Sequence, residues 1–316
     1  MYSDKTLAAV IPCHNEETQI EKVVDTMPDM VDRIVIVNDK STDKTADVLD
    51  ALAKRDKRVV ALHHSVNQGV GGAIATGYEW ARDNDMDMAV VMAGDGQMNP
   101  DDLPALVAPV ADEGVNYSKA NRLIVSRSIE KIPFRRFFGN SVLSLLTKIS
   151  SGYWHISDSQ TGYTVADKDV LHTIDWQDMY KRYGQPNDLL IKLNVHKFTV
   201  RDVPTEPVYN VGEKSGIKIR RVVFTISNIL VKGFFWRMKN KYIIRDFHPL
   251  VLFYMLGIFL MIMFLLFALR VFWVLFTTGD VPLISTISMF FAFTSGIQSL
   301  FFGMLFDMQD NRPLRG

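Results

Sequence analysis

Leu250 to Leu269 (LVLFYMLGIFLMIMFLLFAL) is twenty residues without a charge. At about 1.5 Å per residue, a helix of that length crosses roughly 30 Å, the depth of one bilayer core. A soluble core helix keeps a polar face, and this stretch has none. Arg270 and VFWVLF follow, so the helix is expected to run on to about residue 276, with Arg270 reaching toward headgroups. Residues 277–282 (TTGDVP) read as a turn, and a second uncharged stretch runs from about Leu283 to Phe306. The sequence thus predicts a two-helix transmembrane hairpin within 248–309 and a short tail, 310–316.

Charge divides the rest of the chain. Residues 1–213 hold 23 Lys and Arg against 31 Asp and Glu, whereas residues 214–245 hold nine Lys and Arg and no acid. Over all 316 residues the two signs balance at 35 each, which argues against a nucleic-acid binder. A hydrophobic share of 48 % excludes a disordered chain. With Cys13 as the one cysteine, neither an intrachain disulfide framework nor a cysteine zinc site can form. The first ten residues have no long apolar core, so no secretory signal is expected. Arg237, Lys239, Lys241 and Arg245 precede the first span, Arg312 and Arg315 follow the second, and the turn has no Lys or Arg. The positive-inside rule then puts both termini and the whole soluble domain in the cytoplasm of a cell with a two-span anchor in its membrane. Residues 214–247 form a basic collar. Within it, Ile217 to Tyr242 mixes cations with Val222, Ile226, Ile229 and Trp236, the pattern of helices lying among anionic headgroups.

In residues 1–213, apolar β-type runs alternate with helical patterns. Strands are expected at 7–13, 33–39, 59–64 and 88–94, and helices at 16–27, after a Ser-Thr-Asp cap at 41–43, and at 71–84. That alternation implies an α/β domain, a mostly parallel sheet with helices on both faces. Ligands bind such sheets at the carboxyl ends of the strands. Polar residues collect there: His14, Asn15 and Glu16; Asn38 and Asp39; Asn67 to Gly72; Asp95 to Gln97. NQGVGGA (67–73) fails the dinucleotide fingerprint, because Ile74 holds the third glycine position and the run follows the third strand. No Lys-Ser or Lys-Thr pair follows Gly77, so a phosphate loop fails too. Glycines at the start of a helix can still approach phosphates, or serve a tight turn.

IPCHNEE, VNDKSTDKT, NQGVGGAIATGY, MAGDGQMNPDDLP and ANR, in that order, resemble the family 2 inverting glycosyltransferases of the GT-A fold. Within them the chain is similar to the polyprenyl-phosphate and dolichyl-phosphate sugar synthases. The resemblance covers roughly residues 5–215, and the tail matches the subgroup anchored by a helical hairpin. The Gln-x-x-Arg-Trp signature of processive polysaccharide synthases is missing.

The resemblance implies roles residue by residue. Pro12, His14, Asn15, Glu16 and Asp39, with Asn67, Gly69 and Gly71, would hold the nucleotide; the usual Asp-Asp pair is Asn38-Asp39 here. Asp95 and Gln97 would hold Mg²⁺ or Mn²⁺, although Ala93 replaces the first Asp of the family's Asp-x-Asp-x-Gln. Arg122 and Arg136, with Arg127 and Arg135 as neighbours, would meet the acceptor phosphate, joined by Asn140 and by Lys214 and Ser215 of an altered Gly-Glu-Ser-Lys stretch. Asp158, Gln160, Thr161 and Gly162 would line the sugar, and Asp188 either faces it or caps a helix. The implied reaction moves one sugar from a nucleotide-diphosphate donor, a UDP-sugar being favoured, to undecaprenyl or dolichyl phosphate, as in cell-envelope glycan synthesis. The alternatives are a transferase onto a preformed lipid-linked or polysaccharide acceptor, and an inactive nucleotide-sugar-binding membrane module, which Ala93 favours. The partners are the donor, the lipid phosphate and membrane lipids, with no nucleic acid; homo-oligomerisation is left open.

Overall fold

The computed structural model describes residues 1–94, 96, 98–123, 134–205 and 219–316, with backbone alone at 134–141 and 219–223. The chain forms two compact units. The first is Met1–Phe234 with Pro313–Gly316, and the second is Phe235–Arg312.

The first unit is built on a seven-stranded sheet ordered β3-β2-β1-β4-β6-β5-β7. The strands are β1 (Leu7–Cys13), β2 (Arg33–Asn38), β3 (Val59–His63), β4 (Met88–Val91), β5 (Tyr117–Asn121), β6 (Thr164–Asp167) and β7 (Val200–Pro204). β6 is antiparallel to both its neighbours, and the other pairings are parallel. The helices are α1 (Ile20–Asp25), α2 (Thr45–Arg55), α3 (Val70–Asp83), α4 (Leu103–Asp112), α5 (Phe134–Ser151), α6 (Lys168–Thr173), α7 (Gln185–Val195) and α8 (Ile219–Lys239). Period-two alternation sends Leu7, Ala9 and Ile11 of β1 into a core with Ile34, Ile36, Leu49 and Leu106. Ala8 and Val10 enter the opposite core with Ala73, Tyr78, Trp176 and Leu190. Both faces of the sheet are covered, as an almost unbroken apolar β1 requires.

The first four strands agree with the sequence expectation to within a few residues. The first helix is shorter than its apolar pattern, which extends from 16 to 27. Residues 15–17 are held instead by the loop after β2: Asn15 N donates to Ser41 Oγ (3.0 Å), Glu16 N to Thr45 Oγ1 (3.0 Å), and Lys44 N to Glu17 Oε2 (2.9 Å). Asn15 takes φ +59°, which a helix cannot continue through.

The first unit also extends beyond residue 213. Ile226 and Leu230 of α8 pack with Ile191 of α7, and Ser150 Oγ of α5 donates to Leu230 O. Gly233 meets Ile191 so closely that a Cβ would lie 2.3 Å from its Cδ1. Residues 313–316 return to the same unit, where Val200 of β7 pairs with Arg315 and accepts from Gly316 N (3.2 Å).

The second unit holds the end of α8, a π-turn at Asn240–Arg245, α9 (Leu250–Thr278) and α10 (Leu283–Asp310). α9 and α10 are long and apolar enough to cross a membrane. Gly279, at φ +76°, closes α9 with its N–H on Leu275 O. Gly257, Gly296 and Gly303 let the two helices approach. Arg237 and Asp307 are both 0 % exposed and pair through two bonds, Nη1 to Oδ1 at 2.8 Å and Nη2 to Oδ2 at 2.9 Å. Tyr242 Oη and Asn311 Nδ2 also donate to Asp307 Oδ1. Burial opposes the charge on Arg237, but Asp307 outweighs it and raises the guanidinium pKa above its ordinary value.

Removing one member of a buried pair leaves the other charge uncompensated, at a cost of about 3–5 kcal/mol. Asp307→Ala is therefore expected to lower the melting temperature of the detergent-solubilised chain sharply. The double variant Arg237→Met, Asp307→Leu should recover most of the loss, because it leaves no charge behind.

Candidate active site

The carboxyl ends of β1 to β4 converge on an open cleft of about 450 Å³. Pro12, His14, Glu16, Asp39, Asn67 and Gly69, all named by the sequence, line it. Asn15 and Gly71, also named, are not in its lining.

Asp39 is 4 % exposed at the end of β2 and organises the cleft. Its Oδ1 accepts from Gln68 N and its Oδ2 from Gly69 N, both at 2.7 Å. His64 Nδ1 donates to Oδ1 (2.9 Å), a bond that leaves His64 Nε2 to accept from Thr76 Oγ1 (2.9 Å) in the neutral tautomer. The Asp39 carbonyl accepts from Asn67 Nδ2 and His14 Nδ1, each at 3.0 Å. Asn38, where the resemblance leads one to expect a second Asp, is spent on structure: its Oδ1 accepts from Ser41 N (2.9 Å) and its amide faces His63 Nδ1 (3.1 Å).

The glycines answer to a chain segment the sequence did not bring near. Gly69 has φ +87°, and a Cβ there would lie 2.5 Å from Lys181 O; one on Gly71 would lie 2.3 Å from Tyr180 O. Gly72 N donates to Lys181 O (3.1 Å), and Lys181 Nζ reaches Gln68 Oε1 (3.0 Å). The segment before α7 is thereby laid across the start of α3, and Arg182 and Tyr183 join the cleft lining. Cys13, Ala93 and Gly94 also line the cleft. Burial, with Glu16 and Asp43 nearby, pushes the Cys13 thiol up to about 12, so it is no nucleophile at neutral pH.

A second polar cluster joins β5 to the loop before β6. Arg122 grips Asp158 through Nε to Oδ2 (2.8 Å) and Nη2 to Oδ1 (3.2 Å). The Arg122 side chain is 45 % exposed, whereas that of Asp158 is 5 % exposed. Burial alone would raise the Asp158 pKa; hydrogen bonds and charge from Arg122, then the charge of Lys119, hold it below the ordinary carboxylate value. Lys119, buried within β5, donates from Nζ to the Asp158 carbonyl, and burial pulls its own pKa down. Gln160 reaches Asn187 Oδ1 (3.1 Å), and Thr161 is buried. Gly162 has Met98 Cε 3.5 Å from where a Cβ would stand. Asp188 accepts from Tyr180 N (2.9 Å) and lies 3.7 Å from Lys192 Nζ, so its carboxylate supports the segment before α7.

Arg136 and Asn140 lie on α5, where the backbone alone is described. Asp95, Gln97, Arg127, Lys214 and Ser215 lie outside the described residues. Among the described residues no group of three His, Cys, Asp or Glu side chains could hold a metal ion.

Solved structures share this fold. Glucosyl-3-phosphoglycerate synthase from Mycobacterium tuberculosis, solved with Mn²⁺ and UDP, superposes with a TM-score of 0.53 over 74 % of this chain and 80 % of its own, at 19 % identity. A mannosyltransferase from Pyrobaculum calidifontis, solved with GDP-Man and Mn²⁺, gives 0.51 over 74 % and 64 %, at 17 % identity. In sequence, the pattern of Glycosyl transferase family 2 matches residues 8–175. The UDP-N-acetylglucosamine–dolichyl-phosphate N-acetylglucosaminyltransferase of Methanococcus voltae is 31 % identical, over 66 % of this chain and 87 % of that protein. The polyprenol monophosphomannose synthase of Mycolicibacterium smegmatis is 27 % identical, over 71 % and 86 %. The chain belongs to glycosyl transferase family 2 and has the GT-A fold; it is a glycosyltransferase.

Two outcomes are expected. Asp39→Ala removes the acceptor of two backbone amides and an imidazole, and a buried donor left unpaired costs about 1–3 kcal/mol. It should lower both the melting temperature and nucleotide affinity, seen by calorimetry. The Asp158 carboxyl is held low in the folded chain, so its contribution to stability is complete above the unfolded value of about 3.9 and is lost only as pH falls through the lower folded value. The melting-temperature gap between the natural chain and Asp158→Asn should therefore be flat near neutrality and close only in strong acid.

Proposed function

We propose that the chain transfers one sugar, with inversion, from a nucleotide-diphosphate sugar to a polyprenyl phosphate at the cytoplasmic face of the membrane. The observation that carries this reading is a family 2 cleft on a chain that continues into two apolar helices of membrane-crossing length. A soluble acceptor gives no reason for such an anchor, and a lipid acceptor does. The Methanococcus and Mycolicibacterium relatives, both lipid-phosphate sugar enzymes, support it. A UDP-sugar donor is favoured, as for the Methanococcus relative. The basic collar and the lysines and arginines flanking the spans support a cytoplasmic domain.

A phosphate monoester is mostly dianionic at pH 7, so the acceptor needs alignment more than a strong base. Arg122, fixed by Asp158 and half exposed, suits that task, and Arg136 is its expected companion. Guanidinium grips phosphate with two parallel hydrogen bonds. Asp95 and Gln97 are oxygen donors of the kind that a hard divalent cation accepts alongside waters and substrate phosphates. The two solved neighbours with Mn²⁺ support such a cation. Bound there, it would neutralise the departing diphosphate. The second reading, an inactive binding module, rests on Ala93, which lines the cleft where the family places a carboxylate.

The experiment is transfer of labelled sugar from UDP- and GDP-sugars to polyprenyl phosphate in membranes. Product that partitions into organic solvent and releases its sugar in mild acid is expected. Polymer, or no transfer at all, would overturn the reading. Asp95→Asn should cut the rate about 100-fold, since electrostatic stabilisation of a leaving group is commonly worth several kcal/mol.

A further inference from the structure

The cleft has an outer wall that no motif marks. Tyr180 to Gly184 are bound on several sides. Tyr180 N is held by Asp188, Lys181 O by Gly72 N, and Lys181 Nζ by Gln68. Gly184 lies so near α8 that a Cβ would stand 2.3 Å from Ile229 Cδ1. The backbone is thus fixed, while the side chains of Arg182 and Tyr183 are exposed, Tyr183 by 61 %. Both line the cleft.

The charges in that cleft are unequal. Glu16 and Asp39 bring carboxylates, and Ala93 and Gly94 bring no charge. Arg182 is the one Lys or Arg in the lining among the described residues, and it enters no ion pair among them. A nucleoside diphosphate carries several negative charges, and a lining with two carboxylates repels them unless a cation answers. A guanidinium on a fixed backbone supplies that charge with no loop to be ordered first, so only the side chain itself has to be immobilised. An exposed tyrosine ring beside it offers a flat apolar face of the kind on which a base stacks.

We propose that Arg182 and Tyr183 bind the sugar donor, Arg182 by pairing with its diphosphate and Tyr183 by packing against its nucleoside. The inference rests on the nucleotide-sugar reading above and extends it to a segment that the family motifs do not include. It also gives the close glycine packing a purpose: Gly69 and Gly71 admit the backbone that carries both side chains.

The test is calorimetry on the full chain in detergent, with Mg²⁺, using UDP and GDP as probes at low and high salt. Arg182→Ala and Arg182→Gln are each expected to weaken diphosphate binding about tenfold or more at low salt, the size of a charge-assisted contact. The difference from the natural chain should shrink at high salt. Tyr183→Ala should weaken binding about fivefold or more at either salt, and Tyr183→Phe should not. Unchanged melting temperatures are expected, since both side chains are exposed. Diphosphate affinity in Arg182→Ala and Arg182→Gln equal to that of the natural chain would overturn the inference while leaving the nucleotide-sugar reading intact. A natural chain that binds neither diphosphate would overturn both.

Discussion

The carboxylate of Asp39 joins two parts of the fold that the chain reaches separately. Strand β2 ends at Asn38, and the helix that forms the next wall of the cleft begins at Val70. Asp39 spans that gap by taking the amide hydrogens of Gln68 and Gly69. Those amides precede the first turn of α3, where a helix leaves its donors unsatisfied. The geometry of Gly69 follows, and with it the path of residues 180–184 across the helix start. His64 steadies the carboxylate from just past the third strand. An acid that family likeness assigns to the nucleotide is thus also the peg on which the cleft hangs.

The same layout couples α8 to the cleft within one unit. Ile229 of α8 packs on Gly184, and the residues just before Gly184 line the cleft. Ser150 at the end of α5 donates to α8, and Leu143 joins the Ile191, Ile226 and Leu230 cluster. Helices α5, α7 and α8 are therefore packed together in this unit. Helix α8 is thus built on the support of the cleft's outer wall, with no separate linker between them.

Much of this was readable in the residues. β1, β2 and β4 are buried on both faces, and continuous apolar runs announce them. The two long helices were legible for the opposite reason, being apolar on every side. β5 gave no such signal. Its YSKAN carries Ser118, Lys119 and Asn121, all buried, and each is satisfied by a partner far along the chain: Leu106 O, Asp158 O and Asp202. A strand whose polar groups are neutralised by tertiary contacts has no periodicity to read. Tyr180 to Gly184 were silent for a related reason. Gly69 and Gly71 indicate that some backbone comes close, but nothing local says which segment it is. Six of the eight residues expected at the nucleotide line the cleft; Asn15 instead ties the first loop to the second, accepting from Thr42 N (2.8 Å).

The first unit is discontinuous in sequence, because Pro313–Gly316 pair with β7 only after the whole of α9 and α10 has been traversed. During synthesis, β7 and the core beside it leave the ribosome long before that closing segment does. Val200 must wait for Arg315 while two apolar helices emerge in between. The sheet edge at β7 therefore stays uncovered at this point until α10 has been made, and an unpaired edge is open to other strands. Completion of the first unit in this way follows synthesis of the two long apolar helices.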